Sequence, residues 1–220
     1  MNIKHTIAIF GASGRMGNAI SKSLAKGPYH LLLTAPNAER LHRFKSELLS
    51  ANPNAKVDVI HSFNKTPWQP DIFILAVPFP AEAEIAQDIH DMAKGKIVIS
   101  ISNPVNEQLT QLVTTPGISA AEELQKRLPD SLIVKAFNTT FAADFSNPVI
   151  NGKQVDSFVA GDNEESLRTV SELVQLSGFN SIIAGDLTIS RTLESMQLLL
   201  MQLTVKYNYN WIAGWKILHE

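Results

Sequence analysis

The sequence predicts an α/β fold, doubly wound on a mostly parallel sheet, with a short helical C-terminal portion. Three observations carry that expectation. Short β-branched runs alternate with longer helical patterns, the order expected of βαβ units. Several of those runs are apolar without alternation, as strands covered on both faces are. Directly after the first run, Gly11, Gly14 and Gly17 are spaced by three and lead into a helical pattern.

Taken in order, strands are expected at 5–10, 30–35, 55–60, 71–77, 96–101, 131–137, 156–161 and 180–185. The first helix is expected over roughly 15–26, stopped by Gly27-Pro28, since proline cannot continue it. Further helices are expected near 38–50, 80–93, 119–128 and 163–177, with Ser119 and Glu122 spaced as a capping box. Between Asn103 and Gly117 the chain has no periodicity and holds two prolines, the mark of a long and often functional loop. A last helix from about 187 to 206 contains "MQLLLMQLTV", apolar nearly all round and so expected to be buried on more than one side. The expected division is a dinucleotide-binding domain over 1–185 and a helical portion over 186–220 that contacts a second copy in a homodimer.

Bulk properties narrow the function classes. The chain has 220 residues, 45% hydrophobic and 18% charged, ordinary globular values that argue against disorder. A net charge of -2 leaves no basic field for nucleic acid or an anionic membrane, so any phosphate grip must be local. Cys is absent, which removes disulfides, thiolate metal sites and cysteine nucleophiles and fits a reducing cytoplasm. Asn2, Lys4 and His5 interrupt the N-terminus, so it does not read as a signal peptide, and no run is long enough to span a bilayer.

The glycine loop is the strongest functional signal. Gly11 would make the tight turn, Gly14 would admit a pyrophosphate, and Gly17 would let helix and strand pack closely, leaving the helix N-terminus facing the anion. Ser13 and Arg15 are candidate phosphate donors. A dinucleotide site also reads the adenosine ribose after the second strand, with an acid for NAD or an arginine for NADP. "LTAPNAER" has no acid ending the strand; Asn37 is the nearest polar group, and Arg40 and Arg43 lie one to two turns into the helix. The nucleotide is left open between NADP and NAD by this stretch.

Three neighbouring strand ends carry Ala76-Val77-Pro78, Asn103-Pro104 and Asn138-Thr139, all expected to converge on the crevice at the glycine loop. Asn and Thr hydrogen-bond a carboxamide or heterocycle; proline gives a rigid apolar wall. The six histidines are scattered without metal spacing, and no Gly-x-Ser-x-Gly elbow occurs. Glu122-Glu123 and Glu164-Glu165 sit in first helical turns, where the helix dipole accounts for them. Hydride transfer between two stacked heterocycles needs no side-chain acid or base, so no catalytic or metal-binding residue is assigned.

In order, "GASGRMGNAI", "LAVPFPAE", "ISNPV", "SAAEELQKRLPDSLIVKAFNT", "VAGDNEES" and "AGDLTISRTLES" resemble the F420-dependent NADP oxidoreductase family, with the STEAP-type metalloreductases as relatives. The resemblance runs over essentially the whole chain. It implies a Rossmann domain with NADP on Gly11, Ala12, Ser13, Gly14, Arg15, Met16 and Gly17. It also implies Pro78 as a wall, and Asn103, Pro104, Asn138 and Thr139 around the nicotinamide and its partner ring, F420 or a flavin such as FMN or FAD. The family places Ser-Arg after the second strand, where this chain has Pro36 and Asn37. Two other readings stand beside it. A dihydrodipicolinate-reductase-like enzyme shares only the "GASGRMG" start, and a non-catalytic dinucleotide sensor or scaffold would keep binding without turnover.

Overall fold

The computed structural model describes residues 3–61 and 67–220. Six strands form the parallel part of one sheet: β1 (His5–Phe10), β2 (Tyr29–Thr34), β3 (Lys56–Val59), β4 (Ile72–Leu75), β5 (Ile97–Ser100) and β6 (Leu132–Lys135). Their spatial order is 3-2-1-4-5-6. The helices between them are α1 (Arg15–Leu24), α2 (Ala38–Ala51), α3 (Phe79–Ile89) and α4 (Ala120–Arg127). A two-residue-strand hairpin, β7 (Val149–Ile150) and β8 (Lys153–Gln154), precedes β9 (Asp156–Gly161), α5 (Glu164–Leu176), β10 (Asn180–Gly185) and α6 (Ser190–Tyr207).

The unbroken apolar strands explain the layering. Ile7, Ile9, Leu31, Leu33, Ile72 and Ile74 face one side, where α1, α2 and α5 bury Ile20, Leu24, Phe44 and Val170. Ala8, Phe10, Leu32, Phe73 and Leu75 face the other side, against Ala86 and Ile89 of α3 and Leu124 of α4. Period-two alternation thus feeds two cores at once, which is the physical content of a doubly wound sheet. Strand order reverses between β1 and β4, and the crevice at their carboxyl ends is where open α/β sheets bind ligands.

The expected strands and helices are all present, and the differences have local causes. β6 stops at Lys135 rather than running to 137, because Phe137 takes a left-handed φ of 60° that no strand accommodates. β9 runs antiparallel to β6. A parallel return needs a crossover helix, and the segment between them supplies only a 3₁₀ turn (Ala142–Ser146) and the β7–β8 hairpin. That hairpin turns on Asn151-Gly152, both at positive φ, the two-residue pattern its Asn-Gly sequence favours. The last helix is preceded by a 3₁₀ turn (Leu187–Ile189). It packs Leu193 on Phe158 and Ala160 of β9. Contrary to the expectation of burial on several sides, Leu199 is 47% and Val205 63% exposed. The chain then folds back, and Asp156 of β9 accepts from Ile217 N–H and Lys216 Nζ.

Candidate active site

The three glycines of the β1–α1 loop have different causes. Gly11 holds φ +71°, and a Cβ there would stand 2.2 Å from Ala76 O at the end of β4. A Cβ on Gly17 would stand 2.2 Å from Gly11 O. Both glycines are therefore required by packing alone. Gly14 is not: its φ -75° and ψ 173° suit any residue, and a Cβ would meet only Gly11 O, at 3.1 Å. Gly14 is also the N-cap of α1, with no side-chain cap and no acid in the first turn. The helix ladder starts with Asn18 N–H donating to Gly14 O, so the N–H groups of Arg15, Met16 and Gly17 open the helix without intrahelical acceptors. Together with the helix dipole they form an anion-binding end.

Two recesses meet at this loop. A groove of about 650 Å³ follows α1 and is lined by Ser13, Gly14, Arg15, Lys22 and Arg40. A cavity of about 310 Å³ lies on the other side, lined by Arg15, Met16, Asn103, Phe137, Asn138 and Gln197. Arg15 belongs to both walls, and Ser13 and Ala12 are buried beneath the loop.

At the exit of β2 the surface is open. Asn37 caps α2, its Oδ1 accepting from Arg40 N–H at 2.8 Å, so this side chain is already used by the fold. Arg43 pairs with Glu39 at 3.6 Å. Among the described residues Arg40 has no carboxylate partner, and the same holds for Arg15, Lys22 and Lys26 on this groove; of the residues that follow β2, Arg40 is the cation left unpaired.

The other end is built from buried polar groups. Asn103 Nδ2 donates to Asn138 O at 2.9 Å, and Asn138 Nδ2 donates to Asn103 Oδ1 at 3.0 Å, clamping the loops after β5 and β6 together. Asn138 Oδ1 remains buried without a partner. Phe137, fully buried at positive φ, is a strained aromatic of the kind that collects at binding sites. Ala76 and Val77 stand against Gly11, Pro78 is the exposed N-cap of α3, and Pro104 is buried in its loop. Thr139 is buried with its Oγ1 accepting from Phe158 N–H, and Thr140 takes its place on the cavity wall.

Sequence reasoning missed Gln197. It is fully buried on α6, with neither its Oε1 nor its Nε2 partnered. The readable signal was a polar stripe, Ser190, Glu194, Gln197 and Thr204 at helical spacing, in an otherwise apolar run. That stripe lies on the buried face of α6 beside Leu193 and Leu200, while Leu199 and Val205 face outward. The helix is seated by charge: Arg191 pairs with Glu122, which also completes the capping box with Ser119. Arg191 holds the Glu122 carboxyl down at about 2. The strings "SAAEEL" and "SRTLES" therefore interlock with each other. Among the described residues Arg15 is the sole ionisable side chain lining the cavity of about 310 Å³.

Comparison with known proteins follows the same lines. The family model described as NADP oxidoreductase, coenzyme F420-dependent, matches residues 6–104. The F420-dependent NADP reductase of Methanocaldococcus jannaschii is 31% identical over 212 residues, covering 91% of this chain and 93% of that protein. Human metalloreductase STEAP2 is 29% identical, covering 91% of this chain but 37% of its own length. Among solved structures, a candidate F420-dependent NADP reductase from Arthrobacter sp. FB24 superposes with a TM-score of 0.80 at 21% identity, covering 98% of this chain and all of its own. A reductive aminase from Aspergillus terreus reaches 0.66 at 13% identity, covering 94% of this chain and 63% of its own. At these identities the structural likenesses speak for the fold. Among the described residues no helix is long and apolar enough to cross a membrane.

Proposed function

The chain belongs to the F420-dependent NADP oxidoreductase family and is an NAD(P)-dependent oxidoreductase; from that premise we propose that it passes hydride between the nicotinamide of NADP and a deazaflavin or flavin-like ring held in the crevice. The observation that carries this reading is the pairing of two unlike recesses across Arg15: an anion-binding groove and a small, largely apolar cavity with unpartnered amide groups.

The residues present fit the nucleotide. Gly14 leaves open the space at the α1 N-terminus where a pyrophosphate fits, and Arg40 is available for a 2′-phosphate. When bound, NADP supplies the hydride-carrying nicotinamide. Asn138 Oδ1 offers an acceptor to a carboxamide N–H, and Gln197 offers both a donor and an acceptor to a ring edge. Phe137 and Phe141 exclude water. With no carboxylate, His or Lys on the cavity among the described residues, acceleration would come from orientation and desolvation rather than from proton transfer by a side chain.

Residues 186–220 would serve twice, as the acceptor wall and as the contact between two copies, since the outward face of α6 exposes Leu199 and Val205. The decisive assay offers NADPH and NADH, each with F420, FMN and FAD, and follows nicotinamide oxidation by absorbance. Turnover with one of these acceptors, faster with NADPH, is the expected result. No oxidation by any pair overturns the reading, and nucleotide binding retained in that case favours a non-catalytic sensor.

A further inference from the structure

Three walls of the ring-end cavity hang from one buried ion pair that hydride transfer itself does not use. Lys135 Nζ lies 2.7 Å from Glu194 Oε1, and both side chains are fully buried. Lys135 also donates to Ser102 O at 2.6 Å, and both Glu194 oxygens accept from Ala120 N–H, at 3.0 and 3.1 Å. Lys135 is two residues before Phe137, Ser102 one before Asn103, and Glu194 three before Gln197. The pair thus ties β6, the loop after β5, and α6 together next to the three residues that shape the cavity.

Burying two charges is costly, and a well-packed apolar pair often holds elements together as firmly; fixing register is the best-attested use of such a pair. α6 is a helix where register matters, because a shift by one residue would turn the Gln197 amide away from the cavity by about 100°. We propose that Lys135 and Glu194 are positioning residues that lock α6 so that Gln197 faces the acceptor ring, and that they govern acceptor recognition without bearing on NADP. The inference rests on the cavity being the acceptor site.

A third carboxyl makes the device responsive to pH. Glu82 of α3, 3% exposed, accepts from Ser100 Oγ at 3.1 Å and has its other oxygen unpartnered. Lys135 of β6, Glu194 of α6, Ser100 and Ser102 face it, and Glu123 and Arg127 of α4 share the recess it lines. Burial raises its pKa to about 7. Below that value Glu82 is neutral, and Lys135 keeps Glu194 and Ser102 O as its partners. Above it, the Glu82 anion attracts Lys135 and repels Glu194, loosening the seat of α6.

The test is the double variant Lys135→Met with Glu194→Gln, which removes both charges and keeps a carbonyl for Ala120 N–H. The acceptor KM is expected to rise about tenfold, with kcat moving less and NADPH affinity held within about twofold. Adding Gln197→Leu should then cost little more, because the pair and Gln197 act as one unit. In the wild type the acceptor KM should climb as pH passes about 7, and in Glu82→Gln it should stay flat. A folded double variant with unchanged acceptor KM, or an equal loss of NADPH affinity, overturns the proposal. If the wild type turns over no acceptor, the functional reading fails separately. Amide exchange across residues 190–207 then decides: unaltered exchange in the double variant overturns the positioning role.

Discussion

The two ends of the crevice are made differently. Where the adenosine would lie, Pro36, Asn37 and Arg40 stand in solvent, and Asn37 is occupied in capping α2. Where the rings would meet, Asn103 and Asn138 clamp each other, Phe137 is held at a strained φ, and Gln197 is buried with its amide free. Rigid, desolvated groups discriminate strongly between ligands, because a mismatch leaves a buried polar atom unpaired. Exposed cations discriminate weakly and are screened by salt. The protein should therefore be strict about its acceptor ring and comparatively lenient about the 2′-phosphate.

The largest expected effect lies between the two ends, at the loop they share. Gly14→Val should fold, since its dihedrals suit any residue and only Gly11 O lies near the new Cβ. Its branched side chain would fill the pyrophosphate position. NADPH affinity should fall at least about a hundredfold, the loss of roughly 3 kcal/mol. Gly17→Val should instead fail in folding, with Gly11 O only 2.2 Å from its Cβ. The pair is read by equilibrium titration beside thermal melting. A folded Gly14→Val with wild-type affinity would place the nucleotide elsewhere and end the comparison.

Next in size is Gln197→Leu, which removes the free amide while keeping the volume. The acceptor KM should rise about tenfold, and NADPH affinity should not change, by steady-state kinetics with each substrate varied in turn. An equal loss for both substrates would show that the ring end is not separate. Gln197 also marks where the sequence was hard to read. The sheet was legible because apolar strands without alternation have one physical meaning, and the glycine loop because two of its glycines are sterically obligatory. β9 was legible as a strand but not in its direction, which depended on whether residues 136–155 held a helix. The amide on α6 was hidden because it looked like an interruption of an apolar helix. Only the sheet beneath shows that the polar stripe faces inward beside Leu193 and Leu200, with Leu199 and Val205 left outward.

The smallest effect is expected at the open end. Arg43 is paired with Glu39 and Asn37 is used as a cap, so Arg40 is the group left to meet a 2′-phosphate. It is exposed, and an exposed charge-to-phosphate contact contributes on the order of 1 kcal/mol. Arg40→Ala should therefore weaken NADPH by about fivefold and leave NADH unchanged, and the difference should shrink as salt is raised. Titrations with both nucleotides at low and high ionic strength measure it. A much larger loss, resistant to salt, would mean that the adenosine end closes around its ligand and is as built as the ring end. An equal loss for NADPH and NADH would mean that Arg40 serves the pyrophosphate, and that the chain reads the 2′-phosphate with something other than the residues after β2.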